Sequence, residues 1–181
     1  MSVVIVMNSR TEAPSGAPMR APALFVVWML SLVLTAGVAH ASHYAFERVD
    51  FVTAKEKRQL SRAGILDTKV LLGWTATLDK RNWLSDQTGI DVGRLEELAT
   101  MCDLLRIEGI GPSMVDVFQK AHVRTSDDLA YALPEPLLKD LQVAARGTRM
   151  AKLLPTTDTL QSWIREARQM RPVLHDLSPA Y

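Results

Sequence analysis

The segment Arg106–Ser113, with the sequence RIEGIGPS, constrains the fold of this chain more than any other stretch. An apolar helical pattern runs into Ile107, and the glycines at positions 109 and 111 permit a tight reversal that residues with a Cβ atom resist. Pro112 then suits the first turn of a new helix, because its missing N–H group is not needed there. This pattern is typical of the turn in a helix-hairpin-helix unit.

The same hairpin predicts a binding site for an anion. Backbone N–H groups at such a turn and at the N-terminus of the following helix point outward together and attract negative charge. We expect them to hold one phosphate or carboxylate, with two cationic side chains nearby. The candidate residues are Gly109, Ile110, Gly111, Ser113, Arg106 and Lys120. The alternative is that the glycines only allow two helices to meet closely.

Helix signals recur along the rest of the chain, and no stretch has the alternation of a strand. Thr53 and Glu56 form a capping box that should start a helix ending near Arg62. Further helix starts are predicted at Asp67 or Thr68, Thr77, Asp91, Pro112, Thr125 or Ser126, Pro134 and near Thr157. The sequence therefore predicts an all-α fold in one compact helical domain over residues 53–172, with a lead-in at 42–52 and a tail at 173–181.

An internal repeat appears when the chain is shifted by 58 positions. The matched apolar pairs are Val49 with Ile107, Leu60 with Phe118, Ile65 with Val123 and Leu71 with Leu129. The glycines are not repeated, because Phe51 stands where Gly109 is and Thr53 where Gly111 is. We therefore expect two tandem copies of one helical unit, of which only the second presents bare backbone to an anion.

The tryptophans divide into two predicted groups. Trp163 lies on the apolar stripe of the last helix and should be buried. Trp83 is expected beside Leu78 and Leu84 on the inner face of its helix. Trp74 follows a glycine in a predicted loop, which makes it the best candidate for an exposed aromatic anchor.

Residues 1–41 have the pattern of a secretory signal peptide. Arg20 precedes an uncharged apolar run at 21–39, and the segment closes on Ala39-His40-Ala41, a small-x-small cleavage pattern. The alternative is an uncleaved membrane anchor at 21–39, because the run is just long enough to span a bilayer. Met19 is an alternative start. Either way we expect the rest of the chain to be exported, as a periplasmic or secreted protein.

The charge balance and the residue motifs of the chain argue against several classes of function. The chain has 21 Lys+Arg and 20 Asp+Glu, and loss of residues 1–41 would leave the two counts equal, whereas dedicated nucleic-acid binders show a basic excess. No two histidines have the i, i+4 spacing of a helical zinc site, and no Gly-x-Ser-x-Gly nucleophile motif occurs. Cys102 fits a buried helical position. We therefore expect no enzymatic activity, no cofactor and no metal.

Several segments, taken in order, carry a family resemblance. They are Ala63-Gly64-Ile65 with Leu71-Leu72, Leu84 with Thr88-Gly89-Ile90 and Leu95, Asp103–Gly111, and Trp163–Ala167. The set spans about Val49–Met170 and resembles the bacterial domain of unknown function four-three-three-two. The resemblance implies a tandem helix-hairpin-helix fold, related in architecture to DNA-repair modules, and no established reaction. The chain departs from it in the first hairpin, and in having Ser113 where DNA-binding hairpins often have lysine.

Two functional hypotheses follow. The favoured one is an exported, non-enzymatic interaction module that binds a protein or envelope partner through helix faces and loops. The alternative is weak, sequence-independent binding of the DNA backbone through the Gly109–Ser113 hairpin, with low and strongly salt-sensitive affinity. A membrane contact is expected only if residues 21–39 remain as an anchor.

Overall fold

The computed structural model describes residues 43–179, in which the predicted all-α class is confirmed. The α-helices of this range are α1 (Ala54–Arg62), α2 (Thr68–Thr75), α3 (Leu78–Thr88), α4 (Val92–Leu104), α5 (Pro112–Lys120), α6 (Ser126–Tyr131), α7 (Pro134–Ala144) and α8 (Thr157–Ala167). Two short 3-10 helices lie at Phe46–Arg48 and Arg149–Lys152. Strand-like pairing in this range is limited to one isolated bridge, between Ala45 and Asp67.

Local capping explains where the helices begin. Thr53 Oγ1 accepts the Glu56 N–H at 3.2 Å and Glu56 Oε2 accepts the Thr53 N–H at 2.7 Å, so the predicted capping box is confirmed. The helices with a single side-chain cap are preceded by Asp67, Thr77, Asp91 and Thr156, and α6 has a second capping box at Thr125. Helices α5 and α7 begin instead with proline, which suits a first helical turn.

One apolar core joins the helices into a compact unit. The predicted inner residues of α4 and its end, Leu95, Leu98, Cys102 and Leu105, are all buried. The prediction for α3 was partly wrong. Leu84 is buried, but Leu78 is 42% and Trp83 48% exposed. The reason is that Arg81 shares the inward strip with Leu84, while Trp83 turns outward and stacks on another tryptophan.

Helix bounds follow the 58-residue repeat seen in the sequence. Helices α1 and α5 both start and end 58 positions apart, and α2 and α6 start 58 positions apart. After each first helix the chain turns through a left-handed residue, Gly64 with φ +78° and His122 with φ +61°. The hairpins before them differ as expected, because Gly109 has φ +88° whereas Phe51 lies outside the left-handed region.

The segments on either side of the helices also contact the domain. In the predicted lead-in, Phe46, Val49 and Val52 are buried in the core. In the predicted tail, the His175 N–H donates to the Ala76 carbonyl at 2.8 Å. No described helix is both long and apolar enough to cross a membrane. The predicted signal peptide, the alternative anchor at 21–39 and the alternative start at Met19 lie outside the described residues.

Candidate functional site

The hairpin between α4 and α5 is a tight turn built on one left-handed glycine. The Ile107 N–H donates to the Leu104 carbonyl, and the Ile110 N–H donates to the Ile107 carbonyl, both at 3.2 Å. Gly109, at φ +88°, adopts a conformation that residues with a side chain resist. Gly111 has φ −94° and ψ 168°, which any residue can adopt. The turn therefore requires glycine at the first of the two positions only.

Helix α8 covers one side of this hairpin. Glu166 Oε1 accepts the Glu108 N–H at 3.0 Å, so one amide of the turn already binds a carboxylate of the chain itself. A Cβ atom on Gly109 would lie 3.1 Å from Nε1 of Trp163. The Trp163 ring is buried, as predicted, and meets Phe118 edge-on with ring centroids 6.1 Å apart. The absence of a side chain at Gly109 thus makes room for the indole.

The structure brings only part of the predicted anion site together. Gly109, Gly111 and Ser113 line a shallow groove of about 600 Å³, together with Arg149, which the sequence analysis did not single out. The amides of Gly111 and Ser113 have no protein acceptor within the described part of the chain. Ile110 is buried and its N–H is used inside the turn. The Gly109 amide likewise has no protein acceptor within residues 43–179, so the groove offers three free amides and one arginine.

The two predicted cations lie elsewhere. Arg106 donates to Asp103 Oδ1 at 2.6 Å and to the Arg171 carbonyl at 3.2 Å, so its guanidinium is committed to the protein. Lys120 ends α5, about 12 Å along the helix axis from Pro112 at the usual rise per residue. Neither side chain lines the groove beside the hairpin.

Carboxylates dominate the other side of the hairpin. Glu108, Asp158 and Glu166 line a neighbouring shallow pocket. Like charges repel across a surface of this kind, although salt screens the effect. The surroundings of the hairpin are therefore unfavourable for a phosphate backbone, despite the free amides.

The corresponding turn of the first copy is closed by side chains. Arg94 Nε donates to Glu56 Oε1 at 2.8 Å, and its Nη2 donates to the Phe51 carbonyl. Burial alone would raise the pKa of Glu56, but hydrogen bonds from Arg94 and Thr53 outweigh it and lower the pKa. Helix α5 has no side-chain cap, because Gly111 occupies the N-cap position. Of the two equivalent turns, only the second leaves its helix N-terminus without such a cap.

Comparison with known proteins identifies the family. A family model described as Domain of unknown function (DUF4332) matches residues 51–170, which is more than half of the chain. The chain belongs to the DUF4332 family. The matched range contains all the helices from α1 to α8 as well as the hairpin. Searches of curated proteins and of solved structures returned no match.

A second candidate surface of this DUF4332 protein consists of two tryptophans. Trp74 on α2 and Trp83 on α3 stack with ring centroids 4.8 Å apart and an interplanar angle of 22°. Trp74 is 41% exposed, in line with its predicted role as an exposed aromatic, although it lies in the last turn of a helix rather than in a loop. Val70, one helical turn earlier, is also exposed. We call Val70, Trp74 and Trp83 the tryptophan surface.

Metal-ligating types of side chain and the single cysteine both occur within residues 43–179. No three histidine, cysteine, aspartate or glutamate side chains in this range are placed to hold a metal ion. Burial raises the pKa of the Cys102 thiol far above its usual range. Since the thiolate is the reactive form of cysteine, this side chain has the character of an inert core residue.

The sequence analysis missed a buried group of charges centred on Arg81. This side chain is 0% exposed, donates to the carbonyls of Thr75, His175 and Asp176, and lies 3.5 Å from Glu96 Oε2. A signal was present, because Arg81 lies three residues before Leu84 on the inward strip of α3. The partners, however, are remote in sequence and could not be read from that spacing.

Glu96 is the acidic centre of this group. Its Oε1 accepts from Arg124 Nη2 at 2.8 Å and from the Ser178 N–H at 2.9 Å. Its Oε2 accepts from Ser178 Oγ at 3.2 Å. Arg124 Nη1 also donates to the Ser178 carbonyl at 2.8 Å. The C-terminal segment is thus bound by a set of largely buried charges.

Proposed function

We propose that this protein is an exported, non-enzymatic interaction module, built from two helix-hairpin-helix units, that binds a protein or envelope partner. The observation that carries the proposal is the stacked and half-exposed pair Trp74 and Trp83. Tryptophan is enriched among the residues that dominate binding energy at protein interfaces. Each large aromatic side chain also gains free energy when a partner removes it from water.

Hydrogen bonds fix the connection between α2 and α3, the two helices that carry Trp74 and Trp83. Thr75 Oγ1 is buried and donates to the Leu71 carbonyl at 2.8 Å. Lys80 Nζ, on α3, donates to the Gly73 carbonyl of α2 at 2.8 Å. Because α2 and α3 are tied together in this way, the two indoles are held in place before a partner arrives. Such preorganisation lowers the entropy lost on binding.

Replacing both Trp74 and Trp83 by alanine should strongly weaken partner binding while leaving the fold intact. We expect at least a tenfold loss of affinity, because truncating a central interface tryptophan typically costs about 2 kcal/mol or more. The partner would first be cross-linked and identified from the cell envelope, then titrated against purified protein. Tyr131→Ala is the matched control, since Tyr131 is an exposed aromatic of α6. Equal affinity of the double variant and the control would refute this assignment.

The export part of the proposal depends on residues 1–41. Arg20, the apolar run at 21–39 and the Ala39-His40-Ala41 ending support a cleaved signal. We expect the mature protein to begin at Ser42, and mass measurement of the exported product checks this. A product that retains residues 21–39 would instead support a membrane anchor.

Sequence-independent DNA binding is the second candidate. The free amides of Gly111 and Ser113 beside Arg149 favour it, whereas Glu108 and Glu166 on the other side oppose it. Retention on a DNA column at low salt that is lost in Gly111→Glu would support DNA binding, and absence of retention would remove it.

A further inference from the structure

Residues beyond the family match occupy a cleft in the helical domain. The match ends at residue 170, and His175–Ser178 then lie across Arg81, Glu96 and Arg124. We call these three side chains the charged cleft. They come from α3, from α4 and from the turn before α6, so the cleft is formed by elements distant in sequence.

The charged cleft contains buried charged side chains, whose burial must be compensated by ion pairs or hydrogen bonds. The side chain of Arg81 is 0% and that of Glu96 7% exposed, and buried charges are costly unless they are paired and hydrogen-bonded. The Arg81 guanidinium donates to the carbonyl oxygens of His175 and Asp176. Its Nε still has no acceptor within residues 43–179. The domain therefore has buried hydrogen-bond donors that the carbonyl groups of a peptide backbone can satisfy.

The charged cleft binds His175–Ser178 mainly through main-chain groups of that segment. The bonded atoms of the segment are the carbonyls of His175, Asp176 and Ser178 and the N–H of Ser178. Only the Ser178 hydroxyl adds a side-chain contact to the cleft. The side chains of His175 and Asp176 are exposed. A different peptide with the same backbone course can therefore satisfy the same groups.

Val173 and Leu174 pack against the core, whereas His175–Ser178 just after them are held mainly by hydrogen bonds and border open space. A cavity of about 250 Å³ separates Leu174, Leu177 and Ser178 from the start of α6. On the other side, Ser178 borders an open groove of about 650 Å³ along α4. Segments with few buried apolar contacts open at a lower free energy than core helices do.

We propose that the charged cleft is a binding site for a polypeptide segment of a partner protein whose backbone turns as that of His175–Ser178 does, through a left-handed residue at Asp176 with φ +55°, and that His175–Ser178 occupy the cleft as a resident ligand until the partner displaces them. This inference goes beyond the proposed function, because it uses none of the residues of the tryptophan surface. Loss of binding through one surface leaves the other intact, so the two proposals fail separately.

The proposal is tested by cutting the C-terminal segment from the folded protein and measuring whether a peptide can bind in its place. A specific protease sequence is inserted between Arg171 and Pro172, and the folded full-length protein is cut. The probe is a fluorescent peptide of residues 173–179, and its anisotropy is measured with cut and uncut protein. We expect the severed tail to dissociate in gel filtration and the probe to take its place, whereas a tail that stays bound in the presence of excess probe would contradict displacement. Uncut protein should bind the probe at least tenfold more weakly.

Substitutions distinguish specific binding of the probe in the charged cleft from nonspecific binding. Arg124→Gln should weaken probe binding about tenfold, because it removes charge-assisted hydrogen bonds to Glu96 and to the Ser178 carbonyl. Arg165→Gln, an exposed change on α8, should leave it unchanged. A probe with His175→Ala should bind within about twofold of the original, given the main-chain contacts; Asp176 is kept in the probe because its left-handed backbone, with φ +55°, disfavours alanine. Tail release without probe capture by a folded domain, or equal binding by Arg124→Gln, would overturn the proposal.

Discussion

Replacement of Arg81 by alanine is expected to lower the free energy of unfolding by about 3–5 kcal/mol, the usual cost of removing one partner from a buried ion pair. The side chain is fully buried, lies 3.5 Å from Glu96 and donates to three backbone carbonyls. Its loss leaves those carbonyls and part of the Glu96 charge without a donor. Urea unfolding followed by circular dichroism measures the change.

Two comparisons make the Arg81 experiment specific. Arg165→Ala removes an exposed arginine of α8 and should change stability by less than about 0.5 kcal/mol. Arg81→Ala combined with Glu96→Gln should destabilise less than the sum of the two single changes, because the residues share one network. A loss below about 1 kcal/mol for Arg81→Ala would show that water replaces the arginine, and that the charged cleft is not a dry site.

The Gly109→Ala variant should lose about 2–3 kcal/mol of stability. A residue with a side chain costs about 1–2 kcal/mol in the left-handed region, and Gly109 has φ +88°. Its Cβ atom would also lie 3.1 Å from Nε1 of Trp163, which must shift to accommodate it. Thermal unfolding monitored at helical wavelengths gives the magnitude, and near-ultraviolet dichroism reports the indole environment.

Gly111→Ala is the matched control for Gly109→Ala. Gly111 has an ordinary φ of −94°, and a Cβ atom there would meet no other atom within 4 Å. We expect a loss of about 0.5–1 kcal/mol, because alanine is a poorer N-cap residue than glycine, but this loss should be clearly smaller than that of Gly109→Ala because no backbone strain is added. Equal losses for the two variants would mean that the hairpin needs both glycines, contrary to its backbone geometry.

Local signals in the sequence were enough to place the helices. The capping box at Thr53, the cap at Asp91 and the proline at 112 each act within one helical turn, and each lies at the start of a helix in the structure. The offset of 58 residues was visible because two similar units keep apolar residues at matching positions. Information of this kind depends only on neighbours along the chain.

Contacts between segments that are distant in the sequence could not be predicted from such local signals. Periodicity placed Trp163 on an apolar stripe, but it did not reveal that α8 lies over the hairpin or that Glu166 binds the Glu108 amide. Periodicity also placed Trp83 inside, since a tryptophan beside leucines fits a core face. The pairing of Trp83 with Trp74 at the surface depends on how α2 and α3 meet.

The position of His175–Ser178 has a consequence for the order of assembly. These residues contact Arg81 across 94 positions of sequence, so all of the intervening chain must be synthesised before the contact can form. Arg81 and Glu96 therefore cannot complete their hydrogen bonds until residues 175–178 have been synthesised. The buried charges of this domain are thus fully paired only after all eight α-helices of the described range have been synthesised.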